Sequence, residues 1–285
     1  MTRTVYVNGE YLPEQDAKVS VFDRGFLFAD GVYEVTSVLE RKLVDFAGHM
    51  ARLHRSLSEL KMPVPVSDDE MEAIHRELVD RNDLDEGLIY LQVTRGAADR
   101  DFAFPPEDTP QSVVLFTQKK PLIHTAAAEK GIKIAFVEDI RWGRRDIKTV
   151  QLLAPSLCKM EARAKGADDA WMVEDGSVTE GTSNNAYIVT KEGVLVTRNL
   201  SNSILHGITR SAVLRMAREA QMRVEERPFT PEEAKDAKEA FVTAASSFVQ
   251  PVVEVDGVTL GDGTPGPTAR RLREIYVEES LKTAV

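Results

Sequence analysis

The sequence is poor in cysteine and has no long apolar run, and each shortage excludes a class of protein. Cys158 is the single cysteine among 285 residues, so no disulfide can form within the chain and we expect a reducing, cytoplasmic compartment. No apolar stretch approaches the roughly 20 residues that cross a bilayer. Arg3 has no apolar run behind it, so we expect no signal peptide and no association with a membrane.

Basic residues are also in deficit. Lys and Arg number 36 against 46 Asp and Glu, which gives a formal net charge of −10. An acidic surface repels the phosphates of DNA, RNA and anionic lipids, so we expect no nucleic-acid partner. The five histidines show no metal-ligand spacing beside a suitable carboxylate, and the sequence therefore predicts no metal site.

Apolar periodicity indicates strands and helices in both halves of the chain, without strict alternation between them. This mixture favours α+β domains over a doubly wound sheet. Residues 121–130 are polar and alanine-rich and have no strong period, so we place an interdomain loop there. It separates a small N-terminal α/β domain over 1–120 from a larger C-terminal domain over 131–285. In the second domain we predict a helix over 149–165 that is interrupted near Pro155.

Three polar stretches of the chain could carry chemistry. In the first, Gly207 precedes a predicted helix, so Ile208 and Thr209 could offer first-turn N–H groups and a hydroxyl to a phosphate. The other interpretation is an ordinary strand-to-helix turn that Thr209 caps.

The second stretch ends a basic run at Lys148. Such a run is usually a solvated face or a set of ion pairs. An enclosed lysine among cationic neighbours instead loses its proton more readily and could act as a reactive amine. The third stretch, residues 177–185, carries the single acid Glu180 among several Ser, Thr and Asn residues. It could simply turn the chain, or Glu180 could pair with a cationic nitrogen of a ligand.

In this order the stretches resemble the fold type IV pyridoxal-phosphate enzymes, the family of D-amino-acid and branched-chain aminotransferases. The resemblance covers nearly the whole chain. Its most specific runs are DRGFLFADGVYE at 23–34, HMARL at 49–53, DIK at 146–148, VTEGTSNN at 178–185 and LHGITR at 205–210. It implies a two-domain α+β fold with a C-terminal pseudo-barrel, and pyridoxal 5′-phosphate (PLP) as cofactor in the cleft between the domains. It also implies a homodimer that completes each site across its interface.

The resemblance implies roles for individual residues. Lys148 would form the Schiff base with the cofactor and move protons as general base and then acid. Glu180 would pair with the pyridine nitrogen and keep it protonated, so that the ring accepts electrons. The other implied cofactor contacts are Arg52, Gly207, Ile208 and Thr209 at the phosphate, Ser183, Asn184 and Asn185 along the flank, Leu205 on the ring, and the backbone N–H of Ala245, which lacks the hydroxyl that the family often has there.

Substrate residues follow from the run at 92–105, which looks like the D-amino-acid transaminase version of the family. In that version a tyrosine holds the substrate carboxylate together with an arginine and a histidine that reach in from the partner subunit. Tyr33 and Arg100 match this clamp, whereas Phe102 takes the position of the histidine, so the clamp is altered. The resemblance places Ala244 and Ser246 at the substrate as well.

The predicted function is therefore a D-amino-acid:2-oxoacid transaminase, with pyruvate or 2-oxoglutarate as acceptor. Phe102 leaves open an alternative, a transaminase that takes (R)-primary amines alone or beside D-amino acids. Further alternatives are a branched-chain L-aminotransferase, a lyase of the aminodeoxychorismate type, and a non-enzymatic binding protein on the same fold.

Overall fold

The computed structural model describes residues 2–285 and divides the chain into two compact units. The first unit runs to Pro121 and also takes in Ile147–Gln151 and Leu281–Val285. The second unit comprises Leu122–Asp146 and Leu152–Ser280. Both units mix strands with helices, which confirms the predicted α+β class.

A six-stranded antiparallel sheet forms the centre of the first unit, in the order β2-β1-β6-β5-β3-β4. Its strands are β1 (Thr4–Val7), β2 (Glu10–Pro13), β3 (Gly31–Leu39), β4 (Lys42–Leu43), β5 (Gly87–Thr94) and β6 (Ser112–Lys119). The helices of this part of the chain are α1 (Arg24–Phe28), α2 (Phe46–Glu59) and α3 (Asp68–Arg81).

One face of this sheet carries the hydrophobic core of the first unit. Val32 and Val38 of β3 and Leu53 of α2 belong to one buried cluster, and alternation along the strand sends Tyr33 and Val35 to the other face. The spacing of Ser67 and Glu70 predicts a capping box at the start of α3, and the Ser67 hydroxyl there accepts the N–H of Glu70.

His75 of α3 lies fully buried in the first unit, with its Nδ1 2.7 Å from the carbonyl oxygen of Met71. Burial lowers the pKa of His75 to about 4. The imidazole is therefore neutral at neutral pH in the folded protein.

A nine-stranded mixed sheet forms the centre of the second unit. Its order is β12-β11-β10-β13-β14-β7-β8-β9, and β15 pairs with β14. The strands are β7 (Ile132–Glu138), β8 (Asp169–Glu174), β9 (Ser177–Gly181), β10 (Asn185–Val189), β11 (Leu195–Thr197), β12 (Val224–Glu226), β13 (Glu239–Ala244), β14 (Phe248–Val255) and β15 (Val258–Thr259). The helices after β6 are α4 (Ala126–Lys130), α5 (Leu153–Ala164), α6 (Ile208–Glu219), α7 (Pro231–Lys235) and α8 (Pro267–Thr283).

The predicted interdomain loop contains a short helix. Within 121–130, α4 forms because the Thr125 hydroxyl accepts the N–H of Ala128 at 3.0 Å. A single capped turn has too few residues for an apolar period to show in the sequence.

The predicted helix over 149–165 is wrong at its start, because α5 begins at Leu153. The preceding segment is extended along β3, where Val150 donates its N–H to the carbonyl of Gly31 at 3.1 Å. That pairing groups Ile147–Gln151 with the first unit, although the sequence placed these residues in the C-terminal domain. Pro155 does not interrupt α5, since it lies in the first turn, where its missing N–H costs no helical hydrogen bond.

Across residues 2–285, no helix combines the length and the apolar character that crossing a bilayer requires.

Candidate active site

Lys148 lies in the first unit, on the extended segment beside β3. Its carbonyl accepts the N–H of Tyr33 at 3.0 Å, and its own N–H donates to the Ser56 hydroxyl of α2 at 3.3 Å. The Nζ atom lies 4.1 Å from the centroid of the Tyr33 ring, within the range of a cation–π contact. Lys148 forms no ion pair with any residue of the described chain. Hydrogen bonds fix its backbone, and the face of the Tyr33 ring lies against its amine.

Arg52 lies one turn before Ser56 on α2 and is oriented by a buried carboxylate. Its Nε and Nη2 each donate to Glu34 of β3 at 2.7 Å, one to each carboxylate oxygen. The Nδ1 atom of His49 lies 2.7 Å from Oε2 of the same residue. A bidentate pair of this kind fixes the plane of the guanidinium.

Glu34 is the charged group on which this cluster depends. It is fully buried, and burial by itself opposes its ionisation. Arg52 and His49 outweigh burial and lower the pKa of Glu34 to about 2. Glu34 and His49 were not predicted as site residues. The available signal was the position of Glu34 between Val32 and Val38 on the core face of β3, where an acid requires a buried cation.

Tyr33 lies in a row of rings on the opposite face of the first sheet. It stacks on Tyr90 of β5 with 5.5 Å between ring centroids, and Tyr90 stacks on Phe116 of β6 at 4.8 Å. Both pairs are inclined by 23°. The stack limits rotation of the ring that Lys148 faces.

Arg100 and Phe102, predicted at the substrate, lie exposed on the loop between β5 and β6. The ring contacts of Arg100 are with Phe28 and Phe102 rather than with Tyr33. The structure therefore brings Lys148 to Tyr33 but does not pair Tyr33 with Arg100.

Glu180 lies on β9 in the second unit and is 4% exposed. Arg141 donates from Nη1 to its Oε1 at 2.5 Å, Asn185 donates from Nδ2 to its Oε2 at 3.0 Å, and the N–H of Leu205 lies 3.1 Å from Oε2. Burial raises the pKa of Glu180, and Arg141 and the Leu205 N–H oppose that increase. A carboxylate in this setting can receive a further N–H donor, such as a protonated ring nitrogen.

Arg141 is a neighbour of Glu180 that the sequence did not identify as a site residue. Asp139 accepts hydrogen bonds from Nε of Arg141 at 2.9 Å and from Nη2 of Arg141 at 2.7 Å. Asp139 also accepts the hydroxyl of Thr179 at 2.7 Å. Contact with Glu180 and Asp139 raises the pKa of Arg141, although burial works in the other direction. In the sequence, Arg141 was one member of a basic run, and its partner Glu180 is 39 residues away.

The start of α6 is the candidate phosphate site. Gly207 is its N-cap and provides no capping side chain, so the N–H groups of Ile208 and Thr209 have no acceptor within the helix. A Cβ at Gly207 would lie 2.1 Å from Oδ1 of Asn185, so the packing there requires glycine. The alternative in which Thr209 caps the helix is wrong, because Thr209 already lies inside it.

The remaining predicted residues lie in the second unit near the ends of strands. Asn184 donates from Nδ2 to Asp169 at 2.8 Å, and its Oδ1 is buried without a partner. Ser183 is exposed beside it. Ala244, Ala245 and Ser246 are half-buried at the end of β13 and in the turn that leads to β14.

These groups fit a phosphorylated pyridine aldehyde. In the first unit, a lysine amine without an ion pair can bond to an aldehyde, and an oriented arginine suits a phosphate. In the second unit, a buried carboxylate can hold a protonated ring nitrogen, and first-turn N–H groups suit a phosphate. Across residues 2–285, no group of three or more His, Cys, Asp or Glu is placed to hold a metal ion. The fold and these residues define a PLP-dependent enzyme of the α+β type.

Known proteins are similar to this chain over nearly its whole length. The family model described as Amino-transferase class IV matches residues 31–255. The D-alanine aminotransferase of Staphylococcus aureus (strain N315) is 38% identical over 272 residues, 95% of each chain. The D-alanine aminotransferase of Bacillus licheniformis is 37% identical over 284 residues, 98% of this chain and 99% of that one.

Solved structures agree in fold. The T.th. branched-chain amino acid aminotransferase complexed with N-(5′-phosphopyridoxyl)-L-glutamate has a TM-score of 0.90 at 28% identity, over 99% of this chain and 95% of that chain. The branched-chain amino acid aminotransferase from Escherichia coli has a TM-score of 0.86 at 25% identity, over 98% and 95%.

This chain belongs to the class IV aminotransferases, and its cofactor is PLP. The resemblance inferred from the five sequence runs is thereby confirmed for family, fold, cofactor and the class of reaction.

Proposed function

We propose that the protein transfers the amino group of a D-amino acid such as D-alanine to 2-oxoglutarate or pyruvate. The names of the most similar curated relatives support this choice of donor. The observation that carries an α-amino acid as donor, rather than an amine, is Arg100, an exposed guanidinium with no hydrogen bond or ion pair to any described residue. Such a group can receive the α-carboxylate of an amino acid.

In this proposal the residues of the first unit hold the cofactor and deprotonate the substrate. When bound, PLP would supply an aldehyde for the amino group and an electron-withdrawing ring. Lys148 would hold the cofactor through its amine, and the same amine would take the proton from the substrate Cα and later return it. Arg52, oriented by Glu34, binds the phosphate.

The residues of the second unit hold the ring and the phosphate. Glu180 keeps a proton at the pyridine nitrogen, because its carboxylate is fixed by Arg141 and Asn185. Ile208 and Thr209 donate N–H groups to the phosphate. The other contacts in this proposal are Ser183, Asn184, Asn185, Leu205, Gly207 and Ala245 for the cofactor, and Tyr33, Arg100, Phe102, Ala244 and Ser246 for the substrate.

A second candidate is a transaminase for (R)-primary amines. Phe102 favours it, since an exposed ring stands where the resemblance implies a carboxylate-binding histidine, and a ring can pack against an apolar substituent. A branched-chain L-aminotransferase is the remaining alternative, and it matches the names of the solved structures of similar fold.

Single half-reactions distinguish these three functions. The holoenzyme is mixed separately with D-alanine, L-leucine and (R)-1-phenylethylamine, and loss of the absorbance of the aldehyde form of the cofactor is followed. We expect D-alanine to react at least roughly tenfold faster than the other two. Reaction with L-leucine alone would overturn the proposed donor, and reaction with the amine alone would establish the second candidate.

We also propose a homodimer. Helix α5 exposes Leu153 (74%), Leu157 (53%) and Met160 (59%), and their spacing places them on one side of the helix. An apolar stripe of this size needs a cover, and a second copy supplies it. Leu157→Glu should shift the sedimentation mass from dimer towards monomer, whereas Arg163→Glu on the same helix should not. A monomeric wild-type protein would refute the proposal.

We further propose a cytoplasmic location. The single cysteine, Cys158, is a buried free thiol, which is typical of a reducing compartment. Recovery of the protein from a secreted fraction of its own cells would contradict this.

A further inference from the structure

Two phenylalanine rings flank Arg100 on the loop between β5 and β6. Its Cζ lies 5.3 Å from the centroid of Phe28 and 5.7 Å from that of Phe102. The two rings also meet each other edge to face, 5.6 Å apart at 63°. Both distances from Cζ of Arg100 to a ring centroid lie within the roughly 6 Å range of cation–π attraction. We call this pair of rings, Phe28 and Phe102, the aromatic cage.

The cage orients Arg100 without using its hydrogen-bond donors. Ring faces attract the guanidinium through its charge, so its five N–H groups stay available for a ligand. Arg100 makes no hydrogen bond or ion pair within residues 2–285. A carboxylate arriving at this loop therefore meets a guanidinium that is held in place and still has all its donors.

Buried arginines fix the loop that carries the cage. Arg24 is 3% exposed and donates from Nη1 to the carbonyl oxygens of Asp101 at 2.7 Å and Ala103 at 3.3 Å. Asp30 accepts Nε of Arg24 and Nε of Arg95, each at 2.8 Å. Arg24 and Arg95 are both buried, so the loop backbone around Phe102 is preformed.

Phe28, the ring of the aromatic cage that lies on α1, also contacts the guanidinium of Arg24. Cζ of Arg24 lies 4.5 Å from the centroid of the Phe28 ring, so Phe28 lies within cation–π distance of both a buried arginine and the exposed Arg100. Phe28 ends α1 and is fixed there, whereas Phe102 is 80% exposed. Phe102 is therefore the ring of the aromatic cage that can be substituted with the least disturbance of the fold.

We propose that Phe102 is a positioning residue that sets donor specificity by holding Arg100 for the substrate α-carboxylate. It replaces a second hydrogen-bonding group by a ring, so that recognition of the carboxylate by this loop depends on Arg100 alone. The proposal rests on the proposed transaminase function. It predicts that loss of the ring weakens binding of carboxylates and leaves donors without a carboxylate unaffected.

The test compares Phe102→Leu, which keeps an apolar side chain, with Phe102→Tyr, which keeps the ring. An exposed cation–π contact corresponds to a roughly two- to fivefold change in affinity. We expect Phe102→Leu to raise the Kd of propionate for the holoenzyme, measured by calorimetry, and the KM for D-alanine by that factor. The kcat should not change, and Phe102→Tyr should restore both constants. Phe26→Leu, which removes another exposed ring of α1 (74% exposed), is the matched control and should match the wild type.

A separate variant distinguishes failure of the cage from failure of the function. Arg100→Ala removes the charged anchor, and we expect the KM for D-alanine to rise roughly ten- to hundredfold. If Arg100→Ala raises the KM but Phe102→Leu binds propionate like the wild type, the cage proposal is overturned and the function stands. If Arg100→Ala has no effect, the carboxylate role of Arg100 in the proposed function fails first. Circular dichroism identifies any variant that is misfolded, and Phe102→Tyr then decides.

Discussion

Replacing Lys148 with alanine should abolish amino transfer, lowering turnover by a factor of about 10⁴ or more. In the proposed function the amine both holds the cofactor and carries the substrate proton, and no other lysine among the described residues lies against Tyr33 to replace it. Turnover is measured with D-alanine and 2-oxoglutarate at saturating PLP. Lys42→Ala, an exposed lysine at the edge strand β4, is the control and should keep wild-type turnover.

Chemical trapping tests the same assignment without relying on activity. Borohydride reduction of the holoenzyme should fix the cofactor on the peptide that contains Lys148, as read by mass spectrometry. The Lys148→Ala protein should carry no fixed cofactor. A label on another lysine, or turnover of Lys148→Ala near that of the wild type, would remove Lys148 from the role proposed for it.

The sequence could predict those features that short-range pattern determines. Ser67 as the cap of α3 and the glycine before α6 both follow from a few adjacent residues. The family could be predicted because five short runs keep their order along the chain. The runs at 23–34 and 205–210 each contain a helix start, where sequence and geometry are closely linked.

The features that escaped prediction are produced by contacts between distant residues. Helix α5 begins at Leu153 rather than at 149 because the residues before it hydrogen-bond to β3, more than 100 positions earlier. Arg141 belongs to the environment of Glu180 through a contact across 39 residues. Apolar periodicity does not contain such pairings.

Glu34 shows how a sequence signal could have been used further. The alternation along β3 directs Glu34 to the same face as Val32 and Val38, and a carboxylate on a core face must have a cationic partner. Arg52 and His49 are three positions apart on α2, so both can face one point on the sheet. The sequence therefore contains the signals that place Glu34, Arg52 and His49 close together, although their pairing was not predicted.

Glu34→Gln should be among the most destabilising single substitutions in the first unit. Removing one partner of a buried ion pair leaves the other charge uncompensated, and we expect a loss of about 3–5 kcal/mol in the free energy of unfolding. Urea denaturation of the apoprotein measures this loss, because bound cofactor would add its own stabilisation. Glu10→Gln on the exposed strand β2 changes the same charge at the surface and should lie within about 0.5 kcal/mol of the wild type.

The pH dependence of the same measurement identifies the cause. The pKa of Glu34 is about 2 in the folded protein against 4.5 for an ordinary glutamate, so its stabilisation is complete above pH 4.5. It is lost as the pH falls towards 2, because the unfolded chain then binds the proton first. A difference of about 2.5 pKa units corresponds to about 3 kcal/mol, in line with the loss expected from the substitution.

His75 gives a separate acid-sensitive contribution that both proteins share. Its pKa is about 4 when folded against 6.5 when free, so it removes stability between pH 6.5 and 4 in the wild type and in Glu34→Gln alike. Subtracting the two curves therefore isolates Glu34 together with its contacts to Arg52 and His49, and the gap between them should close from pH 4.5 downwards. Curves that stay parallel down to pH 2 would mean that the ionised carboxylate of Glu34 does not stabilise the fold. Arg52 would then have to be oriented by other groups.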